Sequence, residues 1–330
     1  MDVMSQPRIC LYYRVEPERD RWLPGDRFVR PLVRRLVRGQ PRMGGVERVF
    51  VNLRLGLDRL GIRHEVNLPF NDLRADDRVG VLGRGRYSLQ GYDRPNPIVA
   101  GIGLMTHPSE WPTLCDDYPV VRYLQHSEWA NNVYKPYFGE RCGVWPVGID
   151  TEAWKCSGST KDVDVLIYDK IYWDRDIQEG VLIQPILKEL SRRGLRFARI
   201  VYGAYSQQDY RSLIERSRSM LFLSAHESQG IAYQECLSSG VPVLAWDQGR
   251  HLDPDRFRWG AAEIPVTSVP YFDSRCGEKF RGAEDFKAQL DRFLERLNQN
   301  DFCTRDYILE NLTLEHCSQQ FVDIMSDIKK

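Results

Sequence analysis

Residues Ser224 to Asp247 read Ser-Ala-His-Glu-Ser-Gln-Gly-Ile-Ala-Tyr-Gln-Glu-Cys-Leu-Ser-Ser-Gly-Val-Pro-Val-Leu-Ala-Trp-Asp. The apolar run Met220 to Leu223 leads into this stretch and Val241 to Ala245 closes it. The order is therefore strand, loop, short helix, turn, strand, which is one βαβ unit of a parallel sheet. Ligands bind at the carboxyl ends of strands in such sheets. Glu227 falls in the loop after the first strand, and Glu235 falls inside the helix that begins near Gly230 or Ile231. Two carboxylates are thus expected to flank one pocket. Gly230 has no Cβ, so the backbone N–H groups of Gly230, Ile231 and Ala232 can approach an anion where the helix dipole favours it.

Three other stretches extend the pattern. Gly44-Gly45-Val46-Glu47-Arg48 precedes Val49, Val51, Leu53, Leu57 and Leu60 at helical spacing, after which Gly61 to Val66 returns to a strand. A glycine pair at a helix start admits a phosphate or sugar against bare backbone. Trp145-Pro146-Val147-Gly148-Ile149-Asp150 has the composition of a linker and divides the chain near residue 150. Val165-Leu166-Ile167-Tyr168-Asp169-Lys170 reads as a buried strand opening into a charged loop that carries Arg175.

Taken together, the block around Glu227 resembles the Glu-x7-Glu signature of retaining glycosyltransferases of the GT-B fold, the group 1 or family four type. The matching residues are Glu227, Gly230, Glu235, Ser238, Ser239, Gly240, Pro242 and Val243. Gly44-Gly45-x-Glu47 and Pro146-x-Gly148-Ile149-Asp150 resemble the family's glycine pair and its interdomain crossing. The resemblance implies a donor diphosphate held by an Arg and, five residues on, a Lys. Here Lys170 and Arg175 keep that spacing with identities exchanged, and Asp169 stands where the family has glycine. It also implies that Glu227 contacts the donor sugar near its reacting face, that Glu235 accepts hydrogen bonds from the ribose hydroxyls, and that a histidine of the first domain lies beside the sugar. His107 and His126, both after apparent strands, are the candidates, with His107 preferred.

Strand and helix patterns alternate along the whole chain. Strands are expected at 9–13, 64–68, 79–82, 98–101, 120–124 and 144–147, then at 163–168, 199–202, 220–224, 241–246 and 262–266. Helices are expected near 177–193, 206–218, 231–239, 284–298 and 304–328. This alternation implies α/β architecture, with two doubly wound, Rossmann-like parallel sheets facing a cleft. The expected division is an acceptor-side domain at 1–149 and a nucleotide-sugar-binding domain at 150–330, with a last helix at 304–330 that is a candidate to pack back on the first domain.

The chain has 330 residues, 42% of them hydrophobic and 28% charged, and that composition is globular. Its net charge of zero gives no electrostatic reason to expect nucleic acid. Eight cysteines are scattered singly, which supports neither a zinc site nor a disulfide framework. No Asp-x-Asp stands in a metal-binding context, so no metal and no cofactor are expected. The absence of a signal-type or spanning apolar run suggests a cytoplasmic protein. From Arg14 to Arg42 nine arginines face four acidic residues. The segment 27–42 suits peripheral contact with an anionic membrane surface, and equally suits a basic loop.

These features point to a metal-independent retaining glycosyltransferase that takes a nucleoside-diphosphate sugar donor and a glycan or lipid-linked acceptor. The alternatives are a nucleotide-sugar epimerase of GT-B architecture and a non-catalytic nucleotide-sugar-binding homologue.

Overall fold

Short apolar runs buried on both faces build two parallel sheets. The computed structural model describes residues 7–30, 33, 43–156, 158–260 and 263–328. The first sheet contains β1 (Ile9–Tyr12), β2 (His64–Val66), β3 (Arg78–Val81), β4 (Ile98–Gly101), β5 (Val120–Gln125) and β6 (Cys142–Val144) in the order β2-β1-β3-β4-β5-β6. The second contains β7 (Val163–Lys170), β8 (Phe197–Val201), β9 (Ser217–Ser224), β10 (Val243–Trp246) and β11 (Gly277–Phe280) in the order β11-β10-β9-β7-β8. Every pairing in both sheets is parallel.

Parallel neighbours require crossovers, and helices supply most of them. In the first half these are α1 (Gly45–Arg59), α2 (Leu114–Asp117) and α3 (Glu128–Phe138). In the second they are α4 (Arg175–Gln178), a wide-turn segment Glu179–Ile183, α5 (Gln184–Arg192), α6 (Gln207–Arg216), α7 (Ile231–Ser238) and α8 (Asp255–Arg258). After β11 come α9 (Ala283–Asn298), α10 (Thr304–Asn311) and α11 (Leu314–Ser326). Because successive strand side chains point to opposite faces, Cys10 and Tyr12 enter one apolar layer while Leu11 enters the other. The second sheet is covered on both faces in the same way. The fold class is thus the expected pair of Rossmann-like α/β sheets.

Several boundaries differ from the sequence reading for local reasons. The expected strand at 144–147 ends at Val144, since Pro146 has no N–H to give to a ladder. The expected strand at 262–266 does not form: residue 262 lies outside the described residues, and Pro265 makes a single antiparallel bridge to Arg250. The sheet edge is instead β11, whose sequence Gly-Glu-Lys-Phe is too short and too polar to stand out. The helix expected at 177–193 starts at Arg175, and its widened turn precedes Pro185, which cannot donate a helical hydrogen bond.

The helix expected at 304–328 is two helices. Thr313 interrupts it, and its hydroxyl accepts the His316 N–H at 3.1 Å to start α11. The break receives the chain where it crosses between the sheets, with the Ile149 N–H donating to the Leu312 carbonyl at 2.8 Å. Beyond the break α11 lies on the first half: Phe321 and Met325 join the core of Leu11, Leu53 and Leu57. The Trp145 indole N–H donates to the Cys317 carbonyl at 2.8 Å.

Candidate active site

The carboxyl ends of strands from both sheets open onto one cavity of about 670 Å³. Arg84, Gln125 and His126 line it from the first half, and Lys170, Ser224 and His226 line it from the second. This is where open parallel sheets place ligands.

Lys170, the last residue of β7, extends its ammonium to both carboxylate oxygens of Glu227, at 2.7 and 2.8 Å. The Ser224 hydroxyl donates to the same carboxylate at 2.8 Å. Across the cleft the Trp129 indole N–H donates to the Glu227 carbonyl at 2.8 Å, so the Glu227 loop is held by both halves. The rest of the clamp is polar as well. The Gln229 side-chain amide pairs with the backbone N–H and carbonyl of Val147 at 2.9 and 2.6 Å, and the Tyr271 hydroxyl donates to the His126 carbonyl.

His126 is buried on the cavity wall. Its Nδ1 lies 3.1 Å from the Trp145 carbonyl, which can only accept, so Nδ1 carries the proton and Nε2 presents a lone pair. That Nε2 has no partner among the described residues. Burial lowers the imidazole to about 4, against the Trp145 hydrogen bond that favours its charged form, so the ring is neutral near pH 7. His107, the preferred candidate from sequence, is not on the cavity wall. Its Nδ1 is 2.7 Å from the Ser109 hydroxyl, and its ring stacks on Trp259 at 4.4 Å, which makes it a loop-packing residue.

The expected second cation is also elsewhere. Arg175 gives both terminal nitrogens to Asp169, at 2.6 and 2.8 Å, and one also reaches Glu179 at 3.0 Å. Arg199 binds the same two carboxylates, at 2.6 and 3.0 Å. Burial pushes the fully buried Asp169 carboxyl up, but the hydrogen bonds from Arg175 and Arg199 outweigh it and hold it below the usual range. Buried Asp169 therefore captures Arg175 in a half-buried ion network, and Arg175 does not line the cavity.

Gly44, Gly45, Gly230, Ile231, Ala232 and Glu235 are not among the residues that line the cavity. Gly230 has φ 83°, and a Cβ there would lie 2.1 Å from the Tyr233 ring, so glycine is required. Gly230 is buried, whereas Ile231 and Ala232 are half-buried, with Ile231 packed against the cores of both halves. Glu235 faces Arg48 of α1 at 4.0 Å. Burial raises its carboxyl to about 8 despite the opposing influence of Arg48, Arg211 and Trp154.

The sequence reading overlooked the aromatic wall. The His226 ring stacks on Trp173 at 4.9 Å and on His251 at 4.1 Å. Burial, then His251 and Lys170, lower His226 to about 3. His226 lay within the quoted stretch, whereas His251, Trp173 and Trp259 come from separate loops and carry no shared sequence signal. Among the described residues no group of three or more His, Cys, Asp or Glu side chains could hold a metal ion.

No family model matches the chain, and no curated protein matches it in sequence. Solved structures do. The lipopolysaccharide outer core galactosyltransferase WaaB in its apo form superposes with a TM-score of 0.50 at 10% identity, over 98% of this chain and 100% of WaaB. A mutant of TarM from S. aureus, in complex with fondaparinux, alpha-GlcNAc-glycerol and UDP, gives 0.54 at 10% identity, over 84% of this chain and 59% of TarM. The chain has the GT-B fold. It spans little more than half the length of several structures that it matches, TarM among them. In GT-B terms the cavity is the cleft between the two sheets; of the sequence-predicted residues Lys170 and His126 line it, and Glu227 lies behind the wall, bonded to Lys170.

Proposed function

We propose that this chain is a retaining glycosyltransferase that transfers a sugar from a nucleoside-diphosphate donor to a glycan or lipid-linked acceptor without a metal ion. The observation that carries this reading is that Lys170, paired with Glu227, and His126, whose buried Nε2 is unpartnered among the described residues, line one cavity from opposite halves of the chain. In the reaction the bond between the anomeric carbon and the diphosphate oxygen breaks, the acceptor oxygen bonds to that carbon on the same face, and the acceptor's hydroxyl proton passes to the departing diphosphate. Negative charge grows on the diphosphate and positive charge on the sugar ring, so the catalytic task is mainly electrostatic. Lys170 meets the first charge and the Glu227 carboxylate opposes the second. His126 accepts a hydrogen bond from a sugar hydroxyl, and Trp173 offers an apolar face to a sugar ring.

In this reading residues 1–149 present the acceptor and 150–330 hold the donor. Residues 26–30 are helical, and Trp22, Leu23 and Phe28 expose their side chains beside Arg27. That mixture supports contact with an anionic membrane carrying a lipid-linked acceptor. Of the segment 27–42, only 27–30 and 33 lie within the described residues. No helix among them is long and apolar enough to cross a membrane.

The test is incubation of the protein with a panel of nucleoside-diphosphate sugars in excess chelator, followed by NMR. Slow release of free sugar, initially of the donor's anomeric configuration, and its loss in Lys170→Ala are expected. Ring isomerisation of the donor would instead identify an epimerase, and activity restored only by magnesium or manganese would remove the metal-free mechanism.

A further inference from the structure

We infer that Arg84 supplies the second cation of the cleft, meeting the anionic group of the ligand from the first half opposite Lys170. This inference rests on the proposed nucleoside-diphosphate-sugar site and names a residue that the sequence reading did not.

The charges of the cavity wall lead to it. Among the described residues Arg84 and Lys170 are the Lys and Arg side chains that line the cavity, and Glu110, which accepts the Thr106 N–H at 3.1 Å, and Asp253 are its carboxylates. Lys170 is already paired with Glu227, and Arg175 is bound by Asp169 and Glu179. Arg84 is exposed to solvent and makes no ion pair among the described residues.

Its position is built, although its side chain is not satisfied. Arg84 belongs to the turn after β3, where the Ser88 hydroxyl donates to its carbonyl at 3.2 Å and the Gly85 N–H reaches the Gly103 carbonyl at 3.4 Å. Its guanidinium lies over the start of α1, such that a Cβ added at Gly44 would sit 2.8 Å from Nη2. Gly44 caps α1 with no side-chain hydrogen bond, so the first N–H groups and the positive end of a 15-residue helix point to the same place as the guanidinium. Glu47 lies in the first turn of α1 but makes no ion pair with Arg84 among the described residues, so the guanidinium and the helix start converge as two positive features that suit an anionic group. The His126 Nε2 lone pair, buried on the same cavity wall with no partner among the described residues, is free to accept a hydrogen bond from a ligand hydroxyl.

The group that fits is a diphosphate. A guanidinium fork takes two phosphoryl oxygens at once, and a compact ammonium takes a third. One cation from each sheet then ties the two halves through the ligand. The family-like spacing of Lys170 and Arg175 is retained, but Asp169 has removed Arg175 from the task and Arg84 does it from across the cleft.

Titration calorimetry of the full chain in magnesium-free buffer tests this with UDP, ADP, GDP, the corresponding nucleosides and inorganic pyrophosphate. Arg84→Ala is expected to weaken the bound nucleoside diphosphate and pyrophosphate roughly 10- to 100-fold while leaving the nucleoside within about twofold, and Arg84→Lys to recover part of the loss. Arg175→Lys is expected to lower the melting temperature and leave the ratio of diphosphate to nucleoside affinity unchanged. If Arg84→Ala, with an unchanged melting temperature, binds the diphosphate as tightly as the parent, Arg84 is not the cation and the glycosyltransferase reading stands. If the unsubstituted protein binds none of the diphosphates or pyrophosphate, both fall.

Discussion

Glu235 shows how one side chain of the Glu-x7-Glu spacing can be present and yet differ from its expected state. It is buried against Arg48, and burial raises its carboxyl from the usual 4.5 to about 8. A carboxylate raised in the folded state holds a proton that the unfolded chain has already lost. Stability therefore falls as pH rises from about 4.5 through about 8, and the lost amount is several kcal/mol at about 1.4 kcal/mol per pKa unit. Glu235→Gln is expected to match the parent near pH 4.5 and to melt progressively higher than it towards pH 8. Melting curves that stay parallel across this window would show that Glu235 does not hold the proton. Asp169 is the complementary case: two guanidiniums keep it charged, and the residue that sequence spacing assigned to the ligand is used for that purpose.

At the level of elements, α1 and α11, from opposite ends of the chain, pack so tightly at Gly56 that a side chain has no room there. A Cβ at Gly56 would lie 2.0 Å from the Ser318 hydroxyl and 2.5 Å from the Leu314 carbonyl. Alanine in a helix gains about 1 kcal/mol over glycine, whereas forcing a backbone shift in a packed interface costs about 1–3 kcal/mol. The clash is against backbone, so it wins. Gly56→Ala is expected to lower the unfolding midpoint in denaturant by an amount equivalent to about 1–2 kcal/mol. A midpoint higher than that of the parent would mean that α11 is free to move away.

For the whole molecule, α11 decides whether the first half can stand. Its Phe321 and Met325 cover Leu11, Leu53 and Leu57, all fully buried. A chain ending at Asn311 would expose that face, and each large apolar side chain returned to water forfeits about 1.5–3 kcal/mol, against a typical total of about 5–15 kcal/mol. The truncated protein is expected to bind a hydrophobic dye and to lose its cooperative melting transition. A cooperative transition near the parent's temperature would show that the first half is stable without the helix. The same return of α11 helps hold the cleft, since the Trp145 indole bonds to it and the Trp145 carbonyl fixes the His126 tautomer.

By itself the sequence determined the two sheets and drew Lys170 and Glu227 to the same end of them. Parallel strands are continuous apolar runs, and the loop after β9 follows from local spacing, so Glu227 and Lys170 were legible as neighbours of one site. Boundaries set by polar edge strands, such as β11 in place of 262–266, were not, because a short charged strand carries no period to read. Only the tertiary structure placed His126 and Arg84 on the cavity wall, stacked His107 on Trp259, turned Arg175 to Asp169, and brought the aromatic rings around His226. Each of these turns on which charge or ring lies within a few ångströms of another from a distant part of the chain, and local spacing does not encode that.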